Sequence, residues 1–543
     1  MEVGPEANTT FALACVLVVV LVVAYKARPP PPQIHPFLLG RQSHSASTRF
    51  EHESPVYTTS QQPTSSFLRP DKSVRTLDDI LKGSLTCLEG QNRGSWVQGG
   101  EKLIDLVHAL RAGLVSKFGT TPRKVVVALE DPTDALLVIL ALATSVHTPV
   151  VIAPGSAIPE DSDITGIVHS VTRLVSASGF STHADAVIVS IGGEDAQEVA
   201  SDILATGRVL SGESIETRIA AEPADLALTF ISEGTTLDIS HVCLTASLVS
   251  WLSLFPASPT PSKPTIKDTI YTFHHPSTPH GFGLALLAIS TSASLSFPPL
   301  SDEPSSDEVE TILTSRSAPP ATLIFSPSKT FATPLYKVAL EKMIGDSGFI
   351  IKLARNGKLR LLREGSVSKK TLWDSILFKG LRKDLGVHML RGMFFDGPLE
   401  QGKLETFRCA FGIPAVSTLS HACLLSPLSH GNLYDYQRLP PPGVVRLTGK
   451  EKAHVGPPAT GIELKLRGNE DEISTGRVRG ELYIRSPVLP RPESLPLDLL
   501  HTDVTHATLP PIPGTKSDSA PISQWLKTGV QAEMATEGVL WIS

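Results

Sequence analysis

Between Trp96 and Phe118 the apolar residues Leu103, Leu106, Val107, Leu110 and Leu114 recur at helical spacing, which predicts a helix with one buried face. The next run, Lys124-Val125-Val126-Val127-Ala128-Leu129, has no polar alternation and reads as a strand buried on both faces. Asp134–Ser145 then reads as an apolar helix, and Pro149–Ala153 and Ala186–Ser190 read as further strands. Asp225–Phe230 is another short strand; after a polar turn, an amphipathic stretch from Leu244 onward reads as the start of a helix. Strands and helices alternating at this spacing imply a parallel sheet covered by helices, an α/β fold.

The first apolar run is of a different kind. Ala7 to Tyr25 carries no charge, and Phe11 to Ala24 is almost wholly apolar. About nineteen such residues span a hydrocarbon core as a helix. Glu2 and Glu6 stand where a secretory signal would be positive, so a retained anchor is the better reading. Lys26, Arg28 and Arg41 follow the run, which places the body of the chain in the cytosol. Asn8-Thr9-Thr10 matches a glycosylation sequon, too near the bilayer to weigh. The expected organisation is a membrane anchor at 1–28, an extended Pro- and Ser/Thr-rich arm at 29–95, and one large domain at 96–543.

Composition changes this picture little. The chain has 543 residues and a formal net charge of −6, which argues against a nucleic-acid surface and against a polybasic membrane patch. Its five cysteines form no C-x-x-C pair, so neither a zinc site nor a disulfide framework is expected. There is no G-x-S-x-G elbow, no H-E-x-x-H and no P-loop of the G-x-x-x-x-G-K-[ST] kind. His274, His275 and His280 cluster in sequence without an acidic or thiol partner at ligand spacing, so they read as wall or loop residues. Asp396-Gly397-Pro398 reads as a turn.

One segment carries candidate chemistry. Ser232, Gly234, Thr235 and Thr236 make a turn able to wrap a polyphosphate with N–H groups and hydroxyls, although no cation accompanies it. The segment resembles the signature loop of adenylate-forming enzymes, in outline Y-T-S-G-T-T-G-x-P-K-G-V-x-L-T-H, with Glu233 inserted and Ile239, Ser240 and His241 at the Pro, Lys and Gly positions. Further stretches follow in the family's order. Trp373-Asp374 through Leu399 resembles the long-chain acyl-CoA synthetase segment W-D-x-L-V-F-x-K. Phe411–Val416 resembles the strand before Y-G-x-T-E. His454-Val455-Gly456 with Glu463-Leu464-Lys465 resembles H-V-G-x-P, Arg479-Gly480-Glu481 resembles R-G-E-I, and Trp525 to Val530 resembles W-x-x-T-G-D.

The resemblance, over about residues 100–543, implies the large N-terminal domain of the adenylate-forming (acyl-CoA synthetase/luciferase-like) fold, with a distorted barrel near its end, preceded here by one transmembrane helix. It also implies a fatty acid–CoA ligase using ATP, Mg2+ and CoA. The remnant nucleotide-binding residues would be Ser232, Gly234, Thr235, Thr236, His421, Thr528 and Gly529. Four positions depart from the pattern: Ser240 for the lysine, Ala422 for a phosphate-contacting threonine, Cys423 for the magnesium carboxylate, and Val530 for the ribose acceptor. The family's small C-terminal domain, expected beyond a D-R-x-K hinge, has no counterpart before Ser543. A transition state dense in phosphate charge needs a cation, magnesium and aimed donors together. The residues therefore favour an impaired relative with no assigned catalytic residue and no metal, acting as a lipid-binding or scaffold protein on the endoplasmic reticulum, with long-chain fatty acid or acyl-CoA as ligand. The alternative is an active ligase.

Overall fold

The Val-rich run at 124 folds as the strand Lys124–Ala128, with four of its five residues buried. Thr148–Ile152 and Ile164–His169 pair parallel with it on either side, and helices cover the faces, which is why no polar position interrupts the run. The computed structural model describes residues 12–18, 31–60, 68–82, 84–85, 102–153, 164–169, 187–190, 202–209, 221–232, 234–256, 263–315, 319–344, 348–441, 444, 448–502 and 524–542.

Three sheets form the body. The first runs Val187–Ser190, Ile164–His169, Lys124–Ala128, Thr148–Ile152, Leu226–Ser232, Thr235–Ser240, parallel except for its last strand. The second runs Ser294–Ser296, Thr269–Thr272, Leu323–Pro327, Gly392–Asp396, Ala415–Leu419, Ser429–His430, again parallel except for its last strand. The third is antiparallel and contains Glu463–Arg467, Arg479–Arg485 and Gln524–Met534. Its two ends do not pair among the described residues.

The helices start where capping chemistry allows. Asp131 accepts hydrogen bonds from the N–H groups of Thr133 and Asp134, each at 2.9 Å, and Pro132 opens the helix Pro132–Ala143. Eleven of that helix's twelve residues are buried, so it is an interior helix without a polar face. Leu103–Phe118 forms as its spacing predicts.

One expectation needs correction, and another lies mostly outside the described residues. Part of the segment 29–95 is built into the body rather than extended from it. Ser43–Ser45 and Tyr57–Thr59 add two strands to the third sheet, and a buried ion pair joins Glu53 to Lys465 at 2.7 Å. Strands three residues long are too short to leave a readable period. At the N-terminus only residues 12–18 are described, as a short exposed helix, and the rest of the Ala7–Tyr25 run lies outside the described residues. Among the described residues no helix is long and apolar enough to cross a membrane.

Candidate functional site

The segment 226–253 folds as a hairpin running into a helix. Leu226–Ser232 pairs antiparallel with Thr235–Ser240, and the pairing continues to Ser232 opposite Thr235. Only positions 233 and 234 are left for the turn. Gly234 takes a positive φ of 77°, a conformation that favours glycine. Thr235 and Thr236 are therefore strand residues, not the hydroxyls of an open loop. A ladder of this kind occupies backbone N–H groups that a phosphate cradle would leave free. Glu233 lies outside the described residues.

Ser240, at the position where the sequence resemblance expects a lysine, has a structural task. Ser240 caps the helix His241–Ser253, its hydroxyl accepting from the Cys243 N–H at 3.3 Å. The helix thus begins at His241, three residues before the expected start, and it is buried nearly all round rather than amphipathic. His241 is buried, and its Nδ1 accepts from the Leu77 N–H at 3.1 Å, tying the helix to the N-terminal segment.

The other degenerate positions are occupied in the same way. After the strand Ala415–Leu419, Ser420 donates from its N–H to Asp396 at 2.9 Å and from its hydroxyl to the same carboxylate. His421 accepts from the Cys423 N–H at 3.3 Å, and Ala422 is exposed. Cys423 is 5% exposed and packs in the main hydrophobic core. A carboxylate there would face apolar side chains. Thr528 donates to the Leu482 carbonyl at 2.8 Å, Gly529 has a φ of 69°, and the Val530 N–H donates to the Thr528 hydroxyl at 3.2 Å. This is a bulge, marked by a register shift against Arg479–Arg485. Val530 packs against the core and accepts no hydrogen bond through its side chain.

The structure gathers one constellation that sequence reading missed. His274, His280 and Asp396 each place a ligand-type atom within 4.8 Å of the other two. The cluster sits at the carboxyl ends of the second sheet's parallel strands, where α/β folds place their ligands. Asp396, read from sequence as part of a turn, is the acidic partner that seemed to be missing. Burial pushes the His274 imidazole down to about 3, the neighbouring His280 adds to this, and Asp396 opposes it. Burial also lowers His280, again against Asp396. His275 is directed elsewhere, its Nε2 at 3.0 Å from the Glu130 carbonyl and its Nδ1 accepting from the Ser277 N–H. No local signal in the sequence could have found the cluster, since 116 residues separate Asp396 from His280.

By sequence, neither a protein-family model nor a curated protein matches the chain. Solved structures do. A long-chain-fatty-acid–CoA ligase from Archaeoglobus fulgidus superposes with a TM-score of 0.57 at 14% identity, over 89% of this chain and 85% of that one. A benzoate CoA ligase from Burkholderia xenovorans gives a TM-score of 0.52 at 12% identity, over 86% of this chain and 78% of that one. The N-terminal domain of a Mycobacterium tuberculosis protein gives 0.54 at 12%, over 86% and 99%. At such identities it is the fold that is shared, and the chain has the adenylate-forming fold.

Proposed function

We propose that this chain is a membrane-anchored relative of long-chain acyl-CoA synthetases that does not adenylate a substrate, and that it holds an acyl ligand or serves as a scaffold at the membrane. The observation that carries the reading is the hairpin closed between Ser232 and Thr235, with Ser240 spent on a helix cap. Cys423 in the core and Val530 in a bulge remove the carboxylate and the ribose acceptor as well. Three parts of one nucleotide site are altered together. ATP, Mg2+ and CoA belong to the alternative of an active ligase, which the CoA-ligase activities of the structural neighbours favour.

Calorimetry and pyrophosphate exchange on the purified chain decide between them. The expected result is no exchange with a long-chain fatty acid and a dissociation constant for ATP–magnesium weaker than about 1 mM. Low-micromolar ATP binding, or robust exchange abolished by Thr235→Ala with Thr236→Ala, would establish the ligase.

Several features support an acyl-binding, membrane-facing role. A cavity of about 540 Å3 is lined by Pro32, Ile34, Leu39, Leu359 and Leu362, with Arg363, Arg408 and Glu405 on its wall. That volume suits a small ligand with an apolar body and a polar head. Between residues 351 and 390, seven lysines and arginines are exposed against one exposed acid, Asp384, in a chain whose net charge is −6. Leu353, Leu372, Ile376 and Met389 are each at least half exposed in the same segment. The overall charge argues against a polybasic patch, but this segment concentrates cations along the chain, and cations interleaved with apolar side chains suit an anionic bilayer surface.

Gln33, which follows the proposed anchor in sequence, is hydrogen-bonded to this segment. The Gln33 N–H donates to the Gly365 carbonyl at 3.0 Å, and the Val367 N–H donates to the Gln33 amide oxygen at 3.1 Å. Carbonate-washed microsomes should therefore retain the full chain, and protease added to sealed vesicles should digest the body. Release by carbonate, or full protection, would overturn the anchored, cytosol-facing arrangement on the endoplasmic reticulum.

A further inference from the structure

We propose that His274, His280 and Asp396 bind a transition-metal ion of the zinc class. Two imidazoles and a carboxylate form the three-ligand set of open zinc sites, leaving a fourth position for water or a ligand. Imidazole ligands select zinc, cobalt, nickel or copper over magnesium and calcium. The site therefore differs in residues and in metal class from the magnesium carboxylate whose place Cys423 fills.

The geometry supplies a second, independent reason. His280 is 8% exposed, and its Nδ1 has no hydrogen-bond partner. A buried imidazole nitrogen left unsatisfied is unfavourable, and such orphans are uncommon enough to need a cause. A metal bound through Nδ1 would supply the missing partner. The ligand atoms lie within 4.8 Å of one another, whereas tetrahedral zinc with bonds of about 2.0–2.1 Å holds its ligands about 3.3 Å apart. Closing that difference takes side-chain rotation and no change of topology, because each ligand comes from the end of a different element. The Asp396 carboxylate is already oriented by the Ser420 N–H and hydroxyl, the kind of outer support that metal ligands use. His280 lies in the first turn of Pro279–Thr291, whose N-terminal dipole by itself disfavours a cation. Asp396 supplies the opposing negative charge.

Trp251 offers a reporter, since its ring centroid is 5.1 Å from that of His280 and its Nε1 donates to the Leu425 carbonyl. The full-length protein in detergent, stripped with chelator and dialysed, is titrated with Zn2+ by calorimetry and with Co2+ by visible absorption. One equivalent should bind with micromolar or tighter affinity, with the intense visible bands of four-coordinate cobalt, a change in tryptophan fluorescence and a raised unfolding midpoint. His280→Ala and His274→Ala should each weaken binding at least 100-fold, and His275→Ala should leave it unchanged. Circular dichroism on each variant, with His280→Gln as a milder substitution, separates lost ligation from lost folding. Absence of saturable binding to the folded wild type, or binding indifferent to both His274→Ala and His280→Gln, would overturn the site. The outcome is independent of adenylation, because neither readout uses ATP.

Discussion

Asp374→Ala is expected to lower stability by about 3–5 kcal/mol, because it leaves two buried cations without their counter-charge. Asp374 sits between Lys358, with which it makes a short ion pair, and Arg382 at 2.7 Å; all three side chains are 5% exposed or less. The same carboxylate accepts from the Thr371 N–H at 2.9 Å and the Thr371 hydroxyl at 2.6 Å. Burial would raise the Asp374 carboxyl, but the donors from Lys358, Thr371 and Arg382 outweigh it and hold the group below its ordinary value. Its stabilising contribution is therefore complete above the unfolded carboxylate range, near pH 4, and is lost as pH falls from there through the lower folded value. Lys358 shows the cost of this arrangement, since burial lowers its ammonium even against the pull of Asp374.

Urea unfolding followed by tryptophan fluorescence reads the effect, because Trp373 adjoins the triad in sequence. Asp374→Asn, which keeps the shape and drops the charge, should fall between wild type and alanine. The alanine variant should also lose part of the wild type's sensitivity to acid below pH 4. A loss under about 1 kcal/mol would mean that water reaches the triad and the pair behaves as a surface one. The triad joins the segment that carries the exposed cations, since Lys358 lies on the helix Gly348–Arg363 and its partners lie on the following helical segments.

Cys423→Glu is the second large effect. In the family pattern it would restore the magnesium carboxylate, yet the residue is 5% exposed among apolar neighbours. A carboxylate placed there without a cation is expected to cost about 3–5 kcal/mol and to leave ATP–magnesium binding no tighter. Cys423→Ser keeps the size and adds no charge, and should cost much less. If the glutamate variant unfolds at the wild-type midpoint and binds ATP–magnesium more tightly, the loop faces a working site and the impaired reading fails. Pairing the change with Ser240→Lys should bring no rescue, because the lysine would stand at a helix cap beside a closed hairpin and not over an open loop.

The sequence by itself determined the α/β architecture. Apolar runs such as Lys124–Leu129 must be covered on both faces, and that requirement is local enough to read from one segment. It also determined the chemical losses, since no fold can make Val530 accept a hydrogen bond or Ser240 carry a charge. What those positions do instead was decided by tertiary structure. Ser240 becomes a helix cap, Cys423 turns into the core, and the phosphate-loop pattern closes as a hairpin because strand pairing extends to Ser232 and Thr235. The meeting of His274 and His280 with Asp396, and of Lys358 with Asp374 and Arg382, was likewise beyond periodicity. Periodicity reports only which face of an element is buried. Which buried polar groups then meet depends on the order of the strands and the packing of helices far apart in the chain.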